Sequence, residues 1–143
     1  APSAEVSWTS EWRRADIGAA NGHGNARSVA RVQAIVSNGG EAGGVRLLRP
    51  ETLDLIFRQQ SDGMDLVLGV PVRFGIGYGL PNELMPVPAD ARLCYWGGWG
   101  GSLVLNDLDH RMTVTYMMNR MESGLVGDDR GFGLVIAAAG AVA

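Results

Sequence analysis

An α+β fold, an antiparallel sheet with packed helices, is what this sequence predicts, and three observations predict it. From Asn25 a mostly apolar helical stripe, Ala26, Val29, Ala30, Val32, Ala34 and Val36, runs to a glycine stop at Asn38-Gly39-Gly40. Arg92 to Trp96, Ser102 to Asn106 and Arg111 to Met118 are three strand candidates, and Asn106-Asp107-Leu108-Asp109 supplies turn residues that pair the last two antiparallel. An apolar, alanine-rich run from Phe132 to Ala139 reads as a buried terminal helix. Helices, sheet and closing helix sum to one α+β arrangement without internal repeats.

In chain order, the stretch up to Gly24 mixes Ser, Trp, Arg and Gly with no sustained period, a loop-rich lead-in that needs something to pack against. Trp8 and Trp12, four apart, read as packing groups on one face of a short helical turn. Asn25 stands at the cap position of the first long helix. Gly44 to Leu48 is a short extended link, and Pro50, Glu51, Leu53, Ile56 and Phe57 mark a second helix by proline in its first turn and an apolar face. Leu66 to Leu80 favours strands and bends, because its β-branched and aromatic residues are broken by glycine and proline. Leu80 to Ala91, with three prolines, is a surface loop.

Nearly half of the 143 residues are apolar, enough to build the core of one domain and to exclude general disorder. Twelve basic against fifteen acidic residues leave a net charge of -3 with no like-charged block, which argues against a nucleic-acid partner. All the basic residues are arginine; the chain has no lysine. Cys94 is the only cysteine, so neither an intrachain disulfide nor a Cys-rich metal site is possible, and a cytoplasmic location is the mild expectation. No secretory leader is expected at Ala1 to Ser10, and the run Gly131 to Ala143 is too short to span a bilayer, so no membrane partner is expected. A start without methionine fits a processed chain or a fragment.

Chemistry concentrates in Tyr95-Trp96-Gly97-Gly98-Trp99-Gly100-Gly101-Ser102, where four glycines and two tryptophans interrupt a strand. Glycine there costs stability and is often found where another backbone or a ligand comes close. A bulge under packed aromatics and a strand edge offering N–H groups to a substrate carbonyl both fit.

The order Asn21-Gly-His-Gly-Asn-Ala-Arg-Ser-Val-Ala-Arg-Val, Asn38-Gly-Gly, Arg46-Leu-Leu-Arg-Pro-Glu-Thr-Leu, Asp65-Leu-Val-Leu-Gly-Val-Pro-Val-Arg-Phe-Gly-Ile-Gly-Tyr and Trp96-Gly-Gly-Trp-Gly-Gly-Ser resembles the second half of the serine β-lactamase-like hydrolases. It is most similar to the family VIII carboxylesterases, relatives of class C β-lactamases, from about residue 17 to the end. The resemblance implies the C-terminal part of the β-lactamase/transpeptidase-like fold, with residues 1–143 as one segment of a single hydrolase domain. It places Trp96 at the lysine of the family's Lys-Thr-Gly box, Gly97 and Gly98 at the next two positions as substrate-binding residues, and Trp99 as the backbone N–H donor of the oxyanion hole. Tryptophan in place of lysine removes the cation that would engage a β-lactam carboxylate, which favours esters.

The family's nucleophile and base lie in a Ser-x-x-Lys motif that this chain cannot contain. Ser28 meets Arg31 and Ser102 meets Leu105 at the spacing required. Arginine stays protonated and cannot be the base. No Gly-x-Ser-x-Gly elbow occurs, and for the Tyr-x-Asn-like or related motif in which the resemblance puts the family's catalytic tyrosine, Tyr116 meets Asn119 at the wrong spacing.

The remaining candidates read more simply as structure. His23 in a Gly/Asn loop and His110 in a turn beside Asp107 and Asp109 are surface groups before they are a relay or metal ligands. Asp128-Asp129 suits the positive N-terminal end of the last helix. Met112, Met117, Met118 and Met121 are core or pocket filler, with an acyl-binding wall as the alternative, and Cys94 is a buried thiol. No cofactor or metal is expected.

The chain is therefore expected to be the C-terminal portion of a serine carboxylesterase acting on small, short-chain esters through an acyl-serine, and inactive alone. Its expected partner is a companion polypeptide or missing segment carrying Ser-x-x-Lys and the catalytic tyrosine. A β-lactamase or peptidoglycan peptidase of the same fold and a non-catalytic binding module are the alternatives. Uncovered apolar surface would favour association, including a homo-oligomer.

Overall fold

In a computed structural model, every residue except 1, 2, 84, 86, 89 and 143 is described. The lead-in coils into a 3-10 turn, Ala4–Trp8, and one turn of helix, α1 (Ser10–Arg14), capped by the Thr9 hydroxyl, which accepts from the Trp12 N–H at 3.2 Å. The two tryptophans do not share a buried face: Trp8 is 69% exposed, and Trp12 is half-buried with its indole N–H enclosed. The 3-10 turn has no element behind it to receive Trp8.

Helix α2 (Ala26–Ser37) starts at Asn25, whose side chain accepts from the Ser28 N–H at 3.0 Å while the Ser28 hydroxyl accepts from the Asn25 N–H at 3.0 Å. This reciprocal box satisfies two donors that the first turn leaves free. The helix ends where Gly40 donates to Ile35 O at 2.7 Å and both Gly39 and Gly40 take positive φ. One member of the expected stripe is misplaced. Val32 is 65% exposed, and the inward positions include the polar Gln33 and Ser37.

A small hairpin, β1 (Glu41–Ala42) with β2 (Val45–Arg46), leads to α3 (Pro50–Ile56), which buries Leu53 and Ile56. A six-stranded antiparallel sheet follows in sequential order: β3 (Ser61–Met64), β4 (Pro71–Phe74), β5 (Gly79–Leu80), β6 (Leu93–Gly97), β7 (Leu103–Asp107) and β8 (Met112–Tyr116). β3, made of Ser-Asp-Gly-Met, has no strand signal of its own and is held by its pairing with β4, Ser61 opposite Phe74 and Met64 opposite Pro71. Leu66 and Val67 are not strand but the exposed tip of that hairpin, where Asp65 Oδ1 accepts from the N–H of both Val67 and Leu68. Within the connection Leu80 to Ala91, residues 84, 86 and 89 lie outside the described residues.

The two central ladders pair Cys94 with Asn106 and Asn106 with Thr113, and Gly97 with Leu103 and Leu103 with Tyr116. Because side chains alternate along a strand, these two rows lie on opposite faces. The first row meets α2, and the core there gathers Val36, Leu53, Ile56, Leu80 and Cys94. The second row meets α4 (Asp129–Val142). The terminal helix forms as expected, but it is not buried: among its described residues only Gly131 is, while Phe132, Leu134 and Ile136 are exposed. Among the described residues it touches the sheet mainly at β8 and β7 and leaves most of its surface exposed.

Candidate active site: the glycine hairpin between β6 and β7

β6 ends in Trp96-Gly97, and the chain returns into β7 through Gly98-Trp99-Gly100-Gly101-Ser102. The hairpin is closed by Gly98 N–H donating to Ser102 O at 2.8 Å and Gly101 N–H donating to Gly98 O at 3.2 Å. The segment between β8 and α4 wraps around it. Gly127 N–H donates to Gly98 O at 3.3 Å, Gly100 N–H to Gly124 O at 2.9 Å, and Glu122 N–H to Gly100 O at 3.0 Å. Among the described residues, the Trp99 N–H is left without an acceptor. An unpaired N–H on a backbone pinned at both neighbours is a donor prepared for an external oxygen.

Close approach, of backbone in one case and of an ion pair in the other, explains two of the glycines. A Cβ on Gly97 would stand 2.5 Å from the Gly127 nitrogen, and Gly101, at φ +118°, has the Asp128–Arg130 pair where a side chain would go. Two tryptophans flank the glycines. Trp96 packs on Phe74 at 5.2 Å between ring centroids and 44° between planes, while Trp99 is 46% exposed. Met118 and Met121 lie against Gly100, where an added Cβ would meet their methyls at 2.8 and 2.6 Å.

The four positions singled out in the sequence, Trp96, Gly97, Gly98 and Trp99, are thus brought together with Phe74, Met118 and Met121. The other candidates sit elsewhere. His110 Nδ1 is 2.7 Å from Asp107 Oδ2, and its N–H donates to Asp107 Oδ1, closing the β7–β8 turn. His23 reaches only the carbonyl of Asn21, at 3.1 Å. Cys94 is fully buried under α2; burial pushes its thiol up to about 12, against a smaller opposite effect of Asn106, so it stays a neutral thiol. Burial also raises the phenols of Tyr95 and Tyr78. No serine hydroxyl among the described residues is hydrogen-bonded to a basic side chain, and no cluster of three or more metal-ligating side chains occurs among them.

Arg130 is the residue that sequence reasoning missed. Asp128 caps α4 as expected, its Oδ1 accepting from Arg130 N–H at 2.9 Å and Gly131 N–H at 3.4 Å. Its carboxylate also pairs with the Arg130 guanidinium, whose hydrogen bond holds the Asp128 carboxyl below the usual range and raises Arg130. The Asp-x-Arg spacing at a helix start was the only available signal. A cavity of about 600 Å3 opens away from this hairpin, lined by Asp62, Arg73, Pro81, Asn82 and Met85. No helix among the described residues is long and apolar enough to cross a membrane.

Comparison with known proteins agrees with this fold. The family described as Beta-lactamase matches residues 1–138. The chain is 35% identical over 118 residues to the "Esterase/beta-lactamase LipL" of Mycobacterium tuberculosis (strain ATCC 25618 / H37Rv), covering 80% of this chain and 26% of that protein. A family VIII carboxylesterase superposes with a TM-score of 0.87 at 33% identity, over 96% of this chain and 37% of the other. A penicillin-binding protein homologue from Caulobacter crescentus superposes with a TM-score of 0.84 at 31% identity, over 92% and 36%. The chain therefore spans between a quarter and two-fifths of the relatives it matches. The antiparallel sheet with packed helices is accordingly the β-lactamase/transpeptidase-like architecture, and the chain belongs to the β-lactamase family.

Proposed function

We propose that this chain is the C-terminal portion of a serine carboxylesterase that hydrolyses short-chain esters through an acyl-serine intermediate. The observation that carries the reading is the unpaired Trp99 N–H on the pinned glycine hairpin. In the acyl-transfer transition state the ester carbonyl oxygen gains negative charge, and a fixed N–H aimed at it stabilises that charge more than the ground state. Trp96, with Gly97 and Gly98, forms the substrate-side wall. Its neutral indole, packed on Phe74, offers an ester nothing to repel and a β-lactam carboxylate no cation to bind.

The nucleophile comes from outside these residues. A chain without lysine has no Ser-x-x-Lys, so the serine, its lysine base and the catalytic tyrosine belong to a companion segment, and this chain alone is inactive. The share of its relatives that it spans supports this division. The exposed faces of α4 supply apolar surface for association.

Intact mass spectrometry of the native sample before and after a serine-directed phosphonate, with nitrophenyl-ester hydrolysis followed in the same tube, tests the reading. A second chain that takes the label as activity disappears is the expected result. Labelling of this chain would overturn the argument about the nucleophile, and a sample holding this chain alone, unlabelled and inactive, would leave an isolated fragment or a binding module. Two relatives, an esterase/beta-lactamase and a penicillin-binding protein homologue, favour a second reading as β-lactamase or peptidase. A chromogenic cephalosporin run beside the nitrophenyl ester separates the two.

A further inference from the structure

We propose that Arg130 is a positioning residue for the Trp99 N–H, acting through two successive peptide groups; this rests on the oxyanion role given to Trp99 above. The guanidinium is spread over three attachments. Nε donates to both oxygens of Asp128 at 3.1 Å, Nη1 donates to Arg120 O at 2.9 Å, and Nη2 donates to Asp128 Oδ2 and to Gly100 O at 3.2 Å. Its plane also lies 5.8 Å from the centre of the Tyr116 ring. Asp128 thus fixes the fork, and the fork reaches 30 residues back in the chain to the glycine hairpin.

The Gly100 carbonyl shares a peptide group with the Gly101 N–H, and in a trans peptide the two point to opposite sides. Arg130, together with the Glu122 N–H at 3.0 Å, holds the oxygen end of that group, and the group's N–H end donates to Gly98 O at 3.2 Å. The Gly98 carbonyl in turn shares a peptide group with the Trp99 N–H. Holding Gly98 O from behind, with a second donor from Gly127 at 3.3 Å, turns the Trp99 N–H the opposite way and keeps it there. The order from guanidinium to Gly100 C=O, Gly101 N–H, Gly98 C=O and Trp99 N–H runs with every donor pointing in the same sense. Such a chain polarises cumulatively, so a cation at its far end makes the last N–H a stronger donor.

Glycine at position 101 belongs to the same device. Any side chain there would displace the Asp128–Arg130 pair from the hairpin, and φ of +118° is itself a glycine conformation. Capping of α4 by Asp128 adds a second function to the same carboxylate, so the helix start and the hairpin are fixed by one group.

The test is Arg130→Gln and Arg130→Lys in the assembled protein that contains this chain, with hydrogen exchange resolved to single amides and nitrophenyl-ester kinetics. In Arg130→Gln the Gly101 amide should exchange about tenfold faster, the scale of losing one hydrogen bond. The kcat should fall roughly tenfold, less than the hundredfold or more of deleting an oxyanion donor, with KM changed less than about threefold. Arg130→Lys keeps the charge without the fork and should recover part of kcat. Amides of β7 should keep wild-type protection in both variants. Gly101 exchange and kcat within about twofold of wild type in Arg130→Gln would overturn the proposal, as would a loss confined to KM. Should Arg130→Gln fail to fold, Arg130→Lys decides by the same readouts, its kcat equal to wild type counting against a role for the fork. If the wild-type assembly hydrolyses no ester, the functional reading falls while Gly101 exchange still decides whether Arg130 holds the hairpin.

Discussion

The two faces of the sheet meet their helices in opposite ways. Under α2, Asn106 is fully buried, donating to Gln33 Oε1 at 2.8 Å and accepting from the Thr113 hydroxyl at 2.9 Å; Tyr78 donates to the same Gln33 oxygen at 2.8 Å, and Ser37 meets Thr113 at 2.7 Å. Under α4 the contact is apolar and thin: Gly131 against Leu103 and Tyr116. The polar face is closed within these residues, every partner supplied by the chain itself. The apolar face is open, its helix carrying Leu134 and an Ile136 that is 72% exposed. Specific hydrogen bonding marks the face that the chain closes by itself, and exposed apolar side chains mark the one that it leaves open.

The largest effect should come from breaking the closed face. Asn106→Ala leaves the Thr113 hydroxyl and Gln33 carbonyl without their buried partner and opens a small void, costing about 2–4 kcal/mol. Denaturant unfolding should show the midpoint falling with an unchanged slope.

Alkaline titration probes the same face through Cys94. Its thiol, at about 12 in the fold against an ordinary 9.0, keeps its proton when the unfolded chain has lost it. Between those values the native state binds more protons, so stability falls as pH rises, by up to about 1.4 kcal/mol per unit, and is fully present below about pH 9. Thiol reagents at pH 8 should accordingly label the native protein only as fast as it opens, and rapid stoichiometric labelling would contradict the closed face.

The smallest change in stability, and the sharpest contrast, belongs to the open face. Ile136→Glu should move the unfolding free energy of this chain by less than about 0.5 kcal/mol. Sedimentation should show it weakening self-association or capture of the companion segment. An equal effect of Val32→Glu, on the exposed side of α2, would mean that α4 is not the associating surface.

These contrasts also separate what the sequence disclosed from what it withheld. The α2 cap at Asn25, the glycine stop, and strands β6 to β8 were legible within a residue or two, because their signals are local. That α4 is a helix was equally legible, but its burial was not, since burial depends on what lies across from it. Gln33 facing inward while Val32 faces solvent reverses the apolar rule because Asn106 and Tyr78 repay the polar group in hydrogen bonds. β3 is invisible in Ser-Asp-Gly-Met and exists through its partner. Trp96 to Trp99 stood out as a motif, whereas Arg130 stood out only once the fold carried it to Gly100.

The crowding around the glycine hairpin limits how this protein can change over time. Positions 97 and 101 are blocked by backbone or by an ion pair, and position 100 by its φ of +92° and two methionines; a Cβ added at position 98 would stand 2.5 Å from the Ser102 hydroxyl. Trp99, by contrast, already projects an exposed side chain from the hairpin. On the reading proposed above, a change of ester preference would fall on that one indole or on the Phe74 and methionine surroundings, because the glycine positions leave little room for side chains.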